Sequence, residues 1–192
     1  MNEYIKNVIS GSIQTKKKLL EDDFIKKIES AAQIVLNAYK NDNKVIFAGN
    51  GGSAADSQHL AAEFVSRFEF DRPGLPSLSL STDTSMITAI SNDYGYKNLF
   101  SRQLEAQAKE GDVFIGITTS GKSENILNAF ESCVKLGIKS IALVGINGVD
   151  STISSQIDQI VDVPSNKTAR IQECHITIGH IICGIVEKDI FG

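Results

Sequence analysis

Cysteine is too scarce and too scattered in this chain to build anything. The three present, Cys133, Cys174 and Cys183, are odd in number and show no CxxC spacing, which leaves neither a disulfide framework nor a cysteine-ligated metal site. Each is expected as a small core hydrophobe. Long apolar runs are missing as well: nothing near Met1 resembles a secretory core, and no stretch would cross a bilayer. A reducing, cytoplasmic home and no membrane partner are the expectation. Positive charge is also short. The 19 Lys and Arg are outnumbered by 23 Asp and Glu, for a net charge of −4. Binding a phosphate backbone needs a concentrated basic patch, so no nucleic-acid partner is expected. The one basic run, Lys16-Lys17-Lys18, lies in a helix-like segment with acidic residues just beyond it, and reads as a solvated face.

What is present suits one domain. The chain has 192 residues, 42% apolar and 22% charged, enough for a substantial core. Residues 2–40 read as two helices, with Tyr4, Ile5, Val8, Ile9 and Ile13 at helical spacing, then Ile25, Ile28, Ala32, Val35, Leu36 and Tyr39. Five short apolar runs follow, 44–48, 77–80, 113–117, 140–144 and 159–163. Helix-like stretches near 54–68, 84–91, 97–108, 123–136 and 149–155 lie between them, and an isoleucine-rich helix spans 168–190. Strands apolar on both faces that alternate with helices imply a parallel sheet covered on both sides. The expected architecture is a three-layer α/β/α sandwich over residues 1–192, five strands with an N-terminal helical pair. No linker or low-complexity segment interrupts it.

Ligands of such sheets bind where strands end and helices begin. Two segments there resemble each other. Strand 45–48 runs into Gly49-Asn50-Gly51-Gly52-Ser53, and strand 113–117 into Thr118-Thr119-Ser120-Gly121-Lys122-Ser123. Each is a short loop of glycine and hydroxyl residues opening a helix, where free N–H groups and the positive helix end suit an anion. The bland alternative makes Ser53 and Ser123 plain N-caps. Two such loops in one small domain favour a phosphorylated or polyhydroxylated ligand.

Both loops also match misleading motifs. Gly49-x-Gly51-x-x-Ala54 fits the dinucleotide fingerprint, yet the nearest acidic residue able to hold a ribose, Asp83, falls late. Gly116-x-x-x-x-Gly121-Lys122-Ser123 fits the Walker A pattern of a P-loop nucleotide hydrolase. Gly116, however, reads as part of the strand, and only Asp162 approximates the acidic partner that Mg²⁺ needs.

Candidate chemistry lies on the helices. His59 and Glu63 stand four apart and share a face, while Gln58 points away. In the last helix Gln172 and His180 are eight apart, about 80° around the axis and two turns along. A His and a Glu at this spacing can bind a metal or serve as an acid/base pair. A surface ion pair, with His180 as a satisfied core histidine, is the commoner arrangement.

The ordered set of motifs resembles the sugar isomerase (SIS) domain family, most closely its sedoheptulose 7-phosphate (phosphoheptose) isomerases, over nearly the whole chain. The resemblance rests on Gly49-Asn50-Gly51-Gly52-Ser53 with His59 and Glu63, on Asn92-Asp93, and on Thr118-Thr119-Ser120-Gly121-x-Ser123. Arg170-Ile171-Gln172-Glu173 with His175 and His180 completes it. It implies a flavodoxin-like SIS fold. Thr118, Thr119, Ser120 and Ser123 would clamp phosphate; Asn50, Gly51, Gly52, Ser53, Asn92 and Asp93 would hold sugar hydroxyls. Glu63 and His180 would be the acid/base pair, with Gln172 polarising the substrate. His59, Glu63, Gln172 and His180 match a zinc site of some members. A homotetramer with active sites at subunit interfaces is implied, supplying heptose to lipopolysaccharide or capsule. Three positions depart from the family pattern: Thr118 in a serine-rich loop, Lys122 for a commoner asparagine, and Ala169 where some members carry Asp. Some relatives are non-catalytic adaptors that bind the replication initiator, and Ser66-Arg67-Phe68-Glu69 and Arg72-Pro73-x-Leu75-Pro76 look similar to theirs. Adaptors lack the acid/base pair, which this chain keeps.

Overall fold

The computed structural model describes all 192 residues. Helices α1 (Asn2–Lys18) and α2 (Asp22–Lys40) precede β1 (Val45–Gly49), α3 (Gly52–Val65), β2 (Ser77–Ser79) and α4 (Thr84–Tyr94). A 3₁₀ turn (Tyr96–Asn98) then leads into α5 (Leu99–Gln107), β3 (Val113–Thr118), α6 (Glu124–Leu136) and β4 (Lys139–Gly145). The chain ends with α7 (Ser151–Ser154), β5 (Gln159–Val163) and α8 (Thr168–Phe191). All pairings are parallel, and the strands lie in the order β2-β1-β3-β4-β5. That is the flavodoxin-like order, and its topological switch point lies between β1 and β3.

The strands bury both faces, as their apolar runs require. Val45 and Phe47 of β1 join one core with α2, α3 and α8, while Ile46 and Ala48 join the other with α5 and α6. No helix is long and apolar enough to cross a membrane. The N-terminal pair divides its work. Helix α2 buries Ile28, Ala32, Val35 and Tyr39. Helix α1 buries no residue and leaves Tyr4, Ile5, Ile9 and Ile13 exposed. Its apolar stripe has no partner within this chain.

Two element boundaries differ from the sequence expectation for identifiable reasons. Helix α3 stops at Val65, because Phe68, which extends the helical spacing, sits in a loop that folds back onto α8. Helix α7 is a single turn, started by the Asp150 side chain accepting from the Thr152 N–H.

The core histidine is His175, not His180, and only one of its ring nitrogens has a partner. His175 is fully buried, and its Nε2 meets the Val144 carbonyl at 3.1 Å. Burial, partly offset by that bond, pushes its pKa down from 6.5 to about 4. The folded state therefore holds His175 neutral where an unfolded chain would protonate it. Its stability contribution is intact above pH 6.5 and is lost as pH falls from there towards 4. Between pH 7 and pH 5 the parent should lose about 2 kcal/mol that His175→Gln does not, at 1.36 kcal/mol per pKa unit. Urea unfolding midpoints of the two proteins at both pH values measure this. Equal acid losses would show that His175 is not the group responsible.

Candidate active site

The two hydroxyl-rich loops leave β1 and β3 side by side, because Ala48 pairs with Gly116 and Gly49 with Ile117. They meet at the switch point of the sheet, where open α/β sheets take their ligands. Helix α3 begins after Gly51, a non-hydroxyl N-cap at φ +56°. Ser53 thus falls in the first turn, and it is not a cap. Ser123 does occupy the N-cap position of α6, but its side chain makes no capping bond. Its Oγ lies 3.0 Å from Thr118 Oγ1, which is also 3.4 Å from Ser120 Oγ. The hydroxyls of Thr118, Ser120 and Ser123 therefore cluster over the free N–H end of α6. This suits an anion better than the capping alternative. Lys122 is exposed beside them, its N–H donating to Ser120 Oγ at 3.1 Å.

Asn50 is held by partners that the sequence did not flag. Asn50 and Asn125 exchange two amide hydrogen bonds of 2.9 Å, and the Tyr96 hydroxyl donates to Asn50 Oδ1 at 2.7 Å. Thr119 and Ser120 line a cavity of about 230 Å³ with Ser165, Asn166 and Thr168, at the start of α8. Asn92 and Asp93 are exposed on α4 and hydrogen-bond each other at 2.8 Å. Gln172 lies against the first turn of α3. A Cβ on Gly52 would meet its amide nitrogen at 2.5 Å.

The titratable cluster forms lower on the same seam. Helices α3 and α8 both start at the carboxyl edge and pack side by side. They approach closely because Gly179 has no side chain: a Cβ there would meet Leu60 at 2.5 Å. Beside this contact, His59 Nε2 lies 2.8 Å from His180 Nε2 and 3.3 Å from Glu63 Oε1. The Phe68 ring rests on His180, centroids 5.4 Å apart. Burial, reinforced by His59 and opposed by Glu63, lowers the His180 pKa. The structure thus joins His59, Glu63 and His180. Gln172 stands about 12 Å away along α8, at 1.5 Å rise per residue.

Zinc favours imidazole nitrogen and carboxylate oxygen, the donors these three residues offer. No group of three or more His, Cys, Asp or Glu already surrounds a metal-sized point. In a tetrahedral site with ligands at about 2.1 Å, donors stand roughly 3.4 Å apart. The His59–Glu63 separation of 3.3 Å matches that spacing. The imidazole pair, at 2.8 Å, would open by roughly half an ångström to admit the ion. The donor types of these three residues suit zinc, but Gln172, expected as a fourth ligand, lies too far along α8 to join them.

The Walker-like reading loses its parts. Gly116 is a buried residue of β3, and Asp162 is bound to Lys27 Nζ at 2.5 Å. Asp83 caps α4 by accepting from the Met86 N–H, which takes up the dinucleotide candidate.

A SIS domain model matches residues 9–145. The phosphoheptose isomerase of Aneurinibacillus thermoaerophilus is 56% identical over 192 residues, covering 100% of this chain and 96% of that protein. Among solved structures, a phosphoheptose isomerase from Francisella tularensis superposes with a TM-score of 0.91 at 36% identity, covering 97% of each chain. One from Neisseria gonorrhoeae gives 0.89 at 36% identity, covering 97% of this chain and 98% of that one.

Proposed function

The chain belongs to the SIS domain family and to its phosphoheptose isomerases, and from that premise we propose that it interconverts sedoheptulose 7-phosphate and D-glycero-D-manno-heptose 7-phosphate. The observation that carries the assignment of roles is the cluster on the α3–α8 seam, where His59 bridges Glu63 and His180. Moving a carbonyl between C2 and C1 takes one proton from carbon to carbon and another from oxygen to oxygen, through an ene-diol(ate). Glu63 takes the C1 proton and returns it at C2. His180, whose burial lowers its pKa and so favours the neutral imidazole, exchanges the proton of the two oxygens. A bound zinc, held by His59, Glu63 and His180, would add Lewis-acid polarisation, and Gln172, placed beside Gly52 at the other end of the seam, contacts the sugar hydroxyls.

The phosphate sits in the Thr118, Thr119, Ser120 and Ser123 loop, and Asn50, Gly51, Gly52, Ser53, Asn92 and Asp93 hold hydroxyls. Remote binding there positions the reactive end. Ten residues of α3 separate Ser53 from Glu63, about 15 Å of rise. The substrate spans only about 10 Å from C1 to phosphorus, at roughly 1.2 Å per bond. Because Gly49 pairs with Ile117, the phosphate loop opens beside Ser53 and stands at a similar remove from Glu63. The mismatch supports an active site completed by a second subunit, whose loops face this subunit's acid/base pair. The uncovered stripe of α1 supports the same homotetrameric reading. The enzyme works as one SIS domain over 1–192 in the cytoplasm, feeding heptose to lipopolysaccharide or capsule.

Incubating purified protein with sedoheptulose 7-phosphate and following the aldose by NMR tests the activity. No product, with or without added zinc, would defeat the assignment. Ser120→Ala and Ser123→Ala should chiefly raise KM. A hydrogen bond to a charged group is worth about 1.5–3 kcal/mol, so each loss should weaken binding by roughly 10- to 150-fold. Parental KM in both variants would remove the clamp from this loop.

A further inference from the structure

The phrases at 66–69 and 72–76, which resemble those of the adaptors, have an internal use in this fold. The Arg72 side chain is 2% exposed and Glu187 1%. Arg72 Nε donates to Glu187 Oε1 at 2.9 Å, and its other nitrogens donate to backbone carbonyls. Nη2 reaches the Glu63 carbonyl at 2.8 Å, and Nη1 reaches those of Phe64 at 2.6 Å and Pro73 at 3.0 Å. These carbonyls include the orphan acceptors at the end of α3. Glu187 in turn accepts from the Phe68 N–H at 2.8 Å and the Glu69 N–H at 2.7 Å. That fixes the loop so that Phe68 rests on His180 and over Gly184, where a Cβ would lie 3.5 Å from the ring.

Stability alone does not account for such a pair. A buried ion pair generally does no better than apolar residues of the same volume. Its distinguishing property is direction, because the planar guanidinium holds several acceptors in fixed relation. Those acceptors are Glu187, two turns beyond His180 on α8, and the backbone of Glu63 itself.

We infer that Arg72, Glu187 and Phe68 are positioning residues for the isomerisation: a buried clamp that sets the end of α3 carrying Glu63 against the stretch of α8 carrying His180. This rests on reading Glu63 and His180 as the acid/base pair. Misplacement of a reacting group by about 1 Å lowers rates by about 10²-fold, so the clamp acts on kcat and leaves the distant phosphate contacts, and hence KM, nearly untouched.

The test is steady-state kinetics on the full chain, alongside urea unfolding and sizing of the oligomer. Arg72→Lys keeps the charge and loses the fork, and Phe68→Leu keeps an apolar side chain and loses the ring. Both should lower kcat by tenfold or more, on the order expected for misplacement, with KM close to parental. Phe68→Tyr, which keeps the ring, should restore kcat. Val35→Ala, in the core under α2, is the control for lost stability and should keep parental kcat while folded. Parental kcat in folded Arg72→Lys and Phe68→Leu, with Glu63→Gln inactive, overturns the clamp alone. Should Arg72→Lys fail to fold, Phe68→Leu decides by itself. Parental turnover in Glu63→Gln would bring down the acid/base reading and the clamp with it.

Discussion

Replacing Glu63 with Gln should leave a folded protein of unchanged oligomeric state whose turnover has fallen by about 10²–10⁴-fold, the range supplied by a positioned acid or base. The change keeps the size of the side chain and removes only the proton acceptor. His180→Gln should be similarly impaired. The double variant should be little worse than the poorer single one, because groups that act as a unit lose their effect together. Metal complicates the result, since both residues sit in a donor set that fits zinc. Metal content is therefore measured alongside rate, with metal-stripped parent as a control. Activity in stripped parent and none in Glu63→Gln would mark Glu63 as a base. Loss on stripping that zinc restores would make Glu63 chiefly a ligand. Parental turnover in folded Glu63→Gln would defeat the mechanism and reopen the adaptor reading.

Gly121→Ala should abolish productive phosphate binding for a reason unrelated to the Walker pattern. Gly121 has φ +67°, and a Cβ there would lie 1.8 Å from the Gly148 carbonyl oxygen. That oxygen is backbone, so the loop itself must move by more than an ångström. The move would scatter the hydroxyls of Thr118, Ser120 and Ser123. Losing even one charged hydrogen bond implies roughly a 10- to 150-fold rise in KM, and losing the cluster implies more. Gly137→Ala is the matched control. It also has positive φ, +65°, but nothing lies within 4 Å of the added carbon. It should cost about 1–2 kcal/mol of stability and leave KM alone. If both variants shifted KM equally, general strain would explain the effect and the loop argument would fail.

The lower half of the α3–α8 seam shows where sequence reasoning stops. His59 and Glu63 were legible as a pair because a helix places positions four apart on one face. Their meeting with His180 was implied by the family resemblance alone, since 121 positions separate the two imidazoles and helical spacing carries no information across that gap. The meeting of Arg72 with Glu187 was not legible. The loop that carries Arg72 shows no periodicity, and Phe68 looked like one more turn of α3. Which histidine is buried was also undecided. His175 and His180 share one isoleucine-rich helix, and only the packing of α8 against β4 turns His175 inward to the Val144 carbonyl.

The alternation of apolar runs and helices determined a parallel, doubly covered sheet, because strands buried on both faces must be apolar on both. Glycine and hydroxyl residues at two strand ends marked both helix starts as suited to an anion, because helix starts leave N–H groups unpaired. Those signals are local, written in neighbouring residues. Tertiary structure alone decided that the two loops adjoin, through the placing of β1 beside β3. It also decided that α3 and α8 meet closely enough for Glu63 and His180 to share His59. Such contacts form only when the whole sheet closes around its two cores, and no single stretch of chain records them.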